Sequence, residues 1–313
     1  MSSLIEQAAQ RLEQLRQAGV VLPEIDAPAL DVAPAKPASA PAAAAPAEPA
    51  VQSRRVELNL DAIAAAGIVT PSAPRSTIAD QFRVIKRPLI ANAVGKGATT
   101  LTHGNLIMVT SAMAGEGKSF TSVNLAMSMV AELDHTVMLV DADVARPSIL
   151  RMLGLPPGPG LLDVLEGKSE LSDALLRTNI DKLTILPSGT PHPKATELLA
   201  SEAMRLLLDD MATRYPDRII IFDSPPLLLT TESCVLASRM GQVVVVVAAG
   251  RTAQAAAKQA LETIEACPVR LLVLNKARLD SRAYGYGYGG GYRYSGGYGY
   301  GYGASDTKQQ PEG

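Results

Sequence analysis

One stretch constrains the fold of this chain more than any other: Asn105-Leu-Ile-Met-Val-Thr-Ser-Ala-Met-Ala-Gly-Glu-Gly-Lys-Ser119. An apolar run of strand length enters a turn of small residues, and a helical pattern through Asn124, Leu125 and Met129 leaves it. A strand feeding a glycine turn at a helix N-terminus suits phosphate binding. Gly115 and Gly117 let backbone N–H groups converge on phosphate oxygens, and the helix dipole favours their charge. Lys118 can neutralise β- and γ-phosphates, and the Ser119 hydroxyl can ligate magnesium. The expected ATP contacts are Ala112, Met113, Ala114, Gly115, Glu116 and Gly117 in the turn, then Lys118, Ser119 and Phe120 on the helix. Ala112 replaces the first glycine of the G-x-x-x-x-G-K-[ST] pattern, and the turn accepts it if its φ is negative.

Two more apolar runs end in aspartate: Val137-Met-Leu-Val-Asp141-Ala-Asp143, and Arg218-Ile-Ile-Ile-Phe-Asp223. Further runs suited to buried strands lie at 183–186, 243–247 and 271–274, with helical patterns at 118–133, 201–214 and 251–266. Strand–helix alternation implies an α/β fold with a doubly wound, mostly parallel sheet, whose strand C-termini line one ligand crevice. Asp141, Asp143 and Asp223 then face the phosphate loop. Asp223 suits magnesium, directly or through water. Asp141 and Asp143 supply one carboxylate beyond the metal's need, available to take a proton from an attacking hydroxyl. The plainer alternative is a solvated strand end with Asp143 capping the next helix.

The body spans about 55–278. Residues 1–26 contain an amphipathic helix pattern, with Ser3 and Glu6 as a capping box and a stripe through Leu4, Ile5, Ala8, Leu12 and Leu15. It either docks on its own domain or binds a partner. Residues 27–54 read as a disordered linker, since twelve Ala and six Pro fill 18 of the 24 positions from Ala27 to Ala50. At the other end, 279–313 form a tail too rich in glycine to fold. Eight of the nine tyrosines fall between Tyr284 and Tyr302, among nine Gly, Arg293 and Ser295.

A net charge of −2 argues against a dedicated nucleic-acid binder, and two cysteines argue against a disulfide framework. Three scattered histidines give no zinc spacing, and no apolar run approaches the roughly 20 residues that a membrane span needs. A cytoplasmic protein is expected, held at a membrane only through a partner.

The loop, Asp141-Ala-Asp-Val-Ala-Arg146-Pro147 and Phe222-Asp223-Ser-Pro-Pro226 together resemble the three nucleotide motifs of bacterial tyrosine kinases. Gly160-Leu-Leu-Asp-Val-Leu-Glu-Gly167 and Thr196-Glu-Leu-Leu-Ala-Ser201 resemble further landmarks of that family. The wording around Asp141 and the Gly-Tyr tail are most similar to exosortase-associated tyrosine autokinases of exopolysaccharide clusters. The wider group is that of the MinD/ParA P-loop ATPases, whose second loop lysine is replaced here by Met113. The resemblance implies an ATP- and Mg2+-dependent protein-tyrosine autokinase regulating exopolysaccharide synthesis. Lys118 and Ser119 would hold phosphates and magnesium, Asp141 would activate tyrosine, and Asp143 and Asp223 would organise the metal. It places Asn275 at the adenine, although a polar residue closing a strand reads the same way. Arg146 sits one residue later than the family's arginine, which leaves its role open.

Ser76-Thr-Ile-Ala-Asp80-Gln-Phe-Arg83-Val-Ile-Lys86-Arg87 reads as a helix ending before Pro88, with Asp80, Arg83 and Lys86 on one face. It resembles the family's Glu-x-x-Arg-x-x-Arg oligomerisation motif, implying a ring of subunits; otherwise it is a solvated charged face. The resemblance further implies a membrane polysaccharide co-polymerase (chain-length determinant) as activator and a protein-tyrosine phosphatase as opponent. Tyr284, Tyr286, Tyr288, Tyr292, Tyr294, Tyr298, Tyr300 and Tyr302 are the candidate autophosphorylation sites. Two alternatives stand beside this reading: a tail that only self-associates, and a non-kinase MinD/ParA-like ATPase controlling assembly or positioning.

Overall fold

The computed structural model describes residues 53–71, 76–97, 100–214 and 217–277. The amphipathic pattern at 3–18, the Ala/Pro segment, Tyr215 and the eight C-terminal tyrosines lie outside the described residues. Eight strands form one sheet: β1 (Arg54–Val56), β2 (Leu106–Ser111), β3 (Thr136–Asp141), β4 (Leu176–Thr178), β5 (Leu183–Leu186), β6 (Arg218–Asp223), β7 (Gln242–Ala248) and β8 (Val269–Asn275). Their order is β1-β4-β5-β3-β6-β2-β7-β8. All neighbours are parallel except β4 and β5, which are antiparallel. The sequence indicated the six long strands. It missed β1 and β4, whose three residues each are too few to show a periodicity.

The central strands β2, β3, β6 and β7 are buried almost throughout, as strands covered on both faces must be. Two apolar layers result. One contains Met108, Met138, Ile220 and Val245, and the other contains Ile107, Leu139, Ile221 and Val244. Each fully buried side chain of this size contributes roughly 1.5–3 kcal/mol relative to exposure.

Three helices precede or follow β2 in the chain. These are α1 (Leu60–Ala65), α2 (Thr77–Ala93) and α3 (Lys118–Val130), the last with every residue from Thr121 to Val130 buried. Asn124 on α3 is buried because it has work for both ends of its amide. Its Oδ1 accepts from Val69 N at 2.8 Å, and its Nδ2 donates to Phe120 O at 2.8 Å.

The structure corrects the reading of α2 in two ways. The helix does not stop before Pro88 but continues to Ala93. A proline there removes one N–H and leaves the carbonyl of exposed Val84 without its helical donor. Packing outweighs that loss: Phe82 and Leu89 are buried, and Asn92 Nδ2 donates to Gln242 Oε1 at 2.8 Å. The three charged residues also do not share one exposed face. Asp80 and Arg83 pair with each other in the open, whereas Lys86 is 4 % exposed. Its Nζ donates to Ser128 O at 2.5 Å and pairs with Glu132 at 2.7 Å, tying α2 to the end of α3. Positions i, i+3 and i+6 spread over about a third of a turn, so the last one rotates into the core.

The Gly160–Gly167 landmark is structural. Asp163 Oδ2 accepts from Gly160 N at 2.8 Å and Thr190 N at 2.9 Å, and these bonds hold its carboxyl below the usual range despite burial.

Candidate active site

The C-terminal ends of β2, β3 and β6 meet at one edge of the sheet, and the turn 112–117 runs from β2 into α3. Gly115 and Gly117 have φ of +81° and +102°, the left-handed region that lets the turn aim its N–H groups inward. Among the described non-glycine residues only His103 and Lys276 have positive φ. Ala112 is therefore in ordinary backbone and fully buried, so the turn accommodates alanine at that position without strain.

The loop is held from several sides. Glu116 is 4 % exposed; its Oε2 accepts from Met113 N at 2.9 Å, and its Oε1 accepts from the Thr252 hydroxyl. Asn275 Nδ2 donates to Glu116 O at 2.9 Å, and Lys276 Nζ donates to Gly115 O at 2.6 Å. Asn275 Oδ1 meanwhile accepts from Lys276 N at 2.8 Å. The residue read as an adenine contact is thus a clasp on the loop, and a Cβ at position 117 would stand 2.1 Å from its Nδ2.

Asp141 and Asp223 occupy facing register positions on adjacent parallel strands. Neither is more than 1 % exposed. Asp141 Oδ2 accepts from Ser148 N and Ile149 N, both at 3.0 Å, while its Oδ1 has no partner. Burial first, and then the neighbouring Asp223, push the Asp141 carboxyl from 3.8 up to about 7. Asp223 rises to about 6, again through burial, offset by Lys118, Ser119 and Ser122. Ser122 Oγ donates to Asp223 Oδ1 at 3.1 Å, leaving Oδ2 unpartnered. Lys118 Nζ lies on Asp143 Oδ2 and 3.4 Å from Ser119 Oγ, and Asp143 Oδ1 accepts from Arg146 N at 3.1 Å. Only the backbone of Arg146 takes part; its side chain is exposed.

Three buried polar atoms, Asp141 Oδ1, Asp223 Oδ2 and Ser148 Oγ, therefore lack hydrogen bonds around a lysine, a hydroxyl and a glycine turn. Such a set suits a polar, anionic ligand with a cation. Among the described residues, no group of three or more His, Cys, Asp or Glu could itself hold a metal ion. That agrees with the way magnesium is commonly bound, by one or two carboxylates together with phosphates and water. Ser119, the free oxygen of Asp223 and the Asp143 carboxylate fit this role.

The structure thus gathers Lys118, Ser119, Asp141, Asp143 and Asp223 at one point. It leaves Asp80 and Arg83 on α2 and ties Lys86 into the packing. Sequence reading missed Ser122, Ser148, Thr252 and Lys276. Ser122 alone left a signal, a polar residue one turn after Lys118 on a helix otherwise apolar enough to be buried.

A family model described as ParA, NUBPL iron-transfer P-loop NTPase, matches residues 102–275. The tyrosine-protein kinase YwqD of Bacillus subtilis is 32% identical over 221 residues, 70% of this chain and 90% of that protein. The tyrosine-protein kinase CpsD of Streptococcus agalactiae is 32% identical over 187 residues, 58% of this chain and 80% of that protein. The crystal structure of the chimerical protein CapA2B2 superposes with a TM-score of 0.57 at 28% identity, covering 70% of this chain and 98% of that one.

Proposed function

The chain belongs to the bacterial tyrosine-protein kinases, built on the ParA-type P-loop NTPase fold, and we propose that its own C-terminal tyrosines are the acceptors. It is a protein-tyrosine kinase. The observation that carries the reading is the Asp141 carboxyl: desolvated, raised to about 7 and with one free oxygen beside the phosphate loop.

In this reading the turn's N–H groups and Lys118 hold the β- and γ-phosphates of ATP, the lysine leaving Asp143 to do so. Magnesium, when bound, would neutralise phosphate charge, with Ser119, Asp143 and Asp223 as the residues that hold it. A tyrosine Oη attacks the γ-phosphorus as the bond to the β–γ bridging oxygen breaks, and ADP leaves. Asp141 Oδ1 takes the phenolic proton, which a carboxyl titrating near neutrality can accept and release. Buried Ser122 orients Asp223, while the Ser148 and Ile149 N–H groups fix the Asp141 carboxyl. An adenine contact by Asn275 requires its clasp on Glu116 to open.

The acceptors proposed are the eight tyrosines from Tyr284 to Tyr302, each flanked by glycine, arginine or small residues that leave it free to enter a cleft. A Gly-rich chain of about 25 residues has an r.m.s. span of roughly 25–30 Å, enough to reach a neighbouring active site. Assembly through Asp80 and Arg83, activation by a membrane polysaccharide co-polymerase, reversal by a phosphatase and control of exopolysaccharide output belong to the same reading. No described helix is long and apolar enough to cross a membrane. The test is phosphosite mapping by mass spectrometry after incubation with ATP and Mg2+. Phosphate on the tail, lost in Asp141→Asn with ATP binding retained, is expected. ATP hydrolysed with no phosphotyrosine would favour a regulatory ATPase instead.

A further inference from the structure

At the edge of the sheet formed by β1, β4 and β5, two confluent cavities of about 590 and 320 Å³ share Ser53, Arg177, Thr184 and Arg218. They lie toward the N-terminal ends of β3, β5 and β6, the opposite end from the phosphate loop. Arg55 on β1 and Arg177 on β4 stand at the same register position of a parallel pair and line the same cavity. Like charges on such neighbours repel, their Cβ atoms being only about 5 Å apart. Among the described residues neither guanidinium has an ion-pair or hydrogen-bond partner, although Asp181 also lines the cavity. Asp210, at the deeper end, is taken by Arg214 at 2.7 Å. Lys182 and Arg218 add positive charge to the same wall.

The deeper cavity is not purely polar. Half-buried Leu171 and Leu175 line it, with the fully buried Met138 and Ile220 of the sheet behind them, and Glu170 and Asp210 stand at its polar side. Two arginines at the rim and the two leucines deeper in suit a ligand with a flat apolar body and a phosphate at its tip. Guanidinium forks recognise phosphate bidentately, and the leucines offer the ring an apolar contact. Phosphotyrosine has that shape. The segment Tyr284–Tyr302 offers eight such groups once phosphorylated, each bringing about −1.5 to −2 charges.

We propose that this groove is a phosphotyrosine-binding site for the phosphorylated C-terminal segment of a second copy of the chain. The inference rests on the autokinase reading for the origin of its ligand. Geometry favours binding in trans. The tail leaves β8, seven strands from Arg55 on β1 and six from Arg177 on β4. At about 4.8 Å per strand the longer of these is roughly 34 Å, plus the length of a strand. A flexible chain from residue 277 has an r.m.s. span of about 21 Å to Tyr292 and about 25–30 Å to Tyr302, so most of the tyrosines fall short of the two arginines of their own chain. Phosphorylation would then exchange one intermolecular contact for another: the tail leaves a neighbour's active site and is held at the basic groove of a subunit.

The test is fluorescence anisotropy with a labelled synthetic peptide of residues 283–291 carrying phosphate on Tyr286. It is titrated into the full chain with Asp141→Asn, so that no phosphate is added during the assay. The phosphopeptide should bind at least tenfold more tightly than its unphosphorylated form. Arg55→Gln/Arg177→Gln should weaken it by at least about tenfold. Arg177→Lys, which keeps the charge but not the fork, should weaken it severalfold without changing the melting temperature. Phenyl phosphate should compete better than inorganic phosphate, and ADP with Mg2+ should not compete. Unchanged binding in a folded double glutamine variant would overturn the proposal. So would equal competition by inorganic phosphate, or displacement by ADP. Because the phosphate is introduced synthetically, these outcomes do not depend on kinase activity, which phosphosite mapping tests separately.

Discussion

Asp141→Asn should stabilise the nucleotide-free domain. In the nucleotide-free protein the carboxyl is buried beside Asp223 and titrates near 7 instead of 3.8. Below pH 3.8 both folded and unfolded chains hold the proton, and the site carries no penalty. As pH rises from there toward 7, the unfolded chain releases its proton while the folded one keeps it, so stability falls with rising pH and levels off above about 7. Each tenfold difference in proton affinity is about 1.4 kcal/mol. The penalty on the folded state is thus on the order of 4 kcal/mol at pH 8 and about 1.5 kcal/mol at pH 5. Asparagine removes it while keeping an oxygen for the Ser148 and Ile149 N–H groups, and its Nδ2 can be offered to the unpartnered Asp223 Oδ2. For a domain of this size about 1 kcal/mol moves the midpoint by roughly 2–4 °C. The expected gain is therefore of order 10 °C at pH 8 and a few degrees at pH 5. Scanning calorimetry or melting in EDTA, without nucleotide, reads it. A variant that melts at or below the parent at pH 8, or whose gain is the same at both pH values, would refute the burial account of Asp141.

Three further outcomes follow from the geometry. Lys86→Met removes the donor to Ser128 O and the partner of Glu132, and should cost about 1–3 kcal/mol in urea unfolding. It should leave the particle mass by light scattering unchanged, whereas Asp80→Ala/Arg83→Ala should lower it; a mass change only in Lys86→Met would reverse the assignment. Gly117→Ala meets both a φ of +102° and a Cβ contact 2.1 Å from Asn275 Nδ2. Backbone strain alone is worth about 1–3 kcal/mol; adding Asn275→Ala should recover the contact part and not the rest, and full recovery in the double variant would show that φ does not matter. A chain ending at Ala283 should bind and turn over ATP yet yield no phosphotyrosine on mapping; phosphate on Tyr215 would contradict the tail as sole acceptor.

Much of this was legible in the sequence because the signals are local. A strand, a glycine turn and a helix read directly from Asn105 to Met129, and runs such as Val137–Asp141 and Arg218–Asp223 state their burial through unbroken apolar residues. Chemistry that depends on residue type at short spacing, as at Lys118 and Ser119, was also readable. Lys86 was not. Its spacing from Asp80 and Arg83 fits an exposed face equally well, and only the packing of α2 on α3 turns it inward. The helix running through Pro88 shows the same thing, since tertiary contacts outweigh a lost hydrogen bond that local propensity treats as decisive.

The sequence alone determined that this chain carries a nucleotide fold, two acidic strand ends and a tyrosine-rich segment, because each is written in contiguous residues. Which carboxylate is desolvated, which asparagine clasps the loop and which arginines face each other depend on residues dozens to more than a hundred positions apart. Asp141 and Asp223 become neighbours only through the order of strands, as do Arg55 and Arg177. Their burial and mutual fields, which set what each can do, exist only once the sheet has formed.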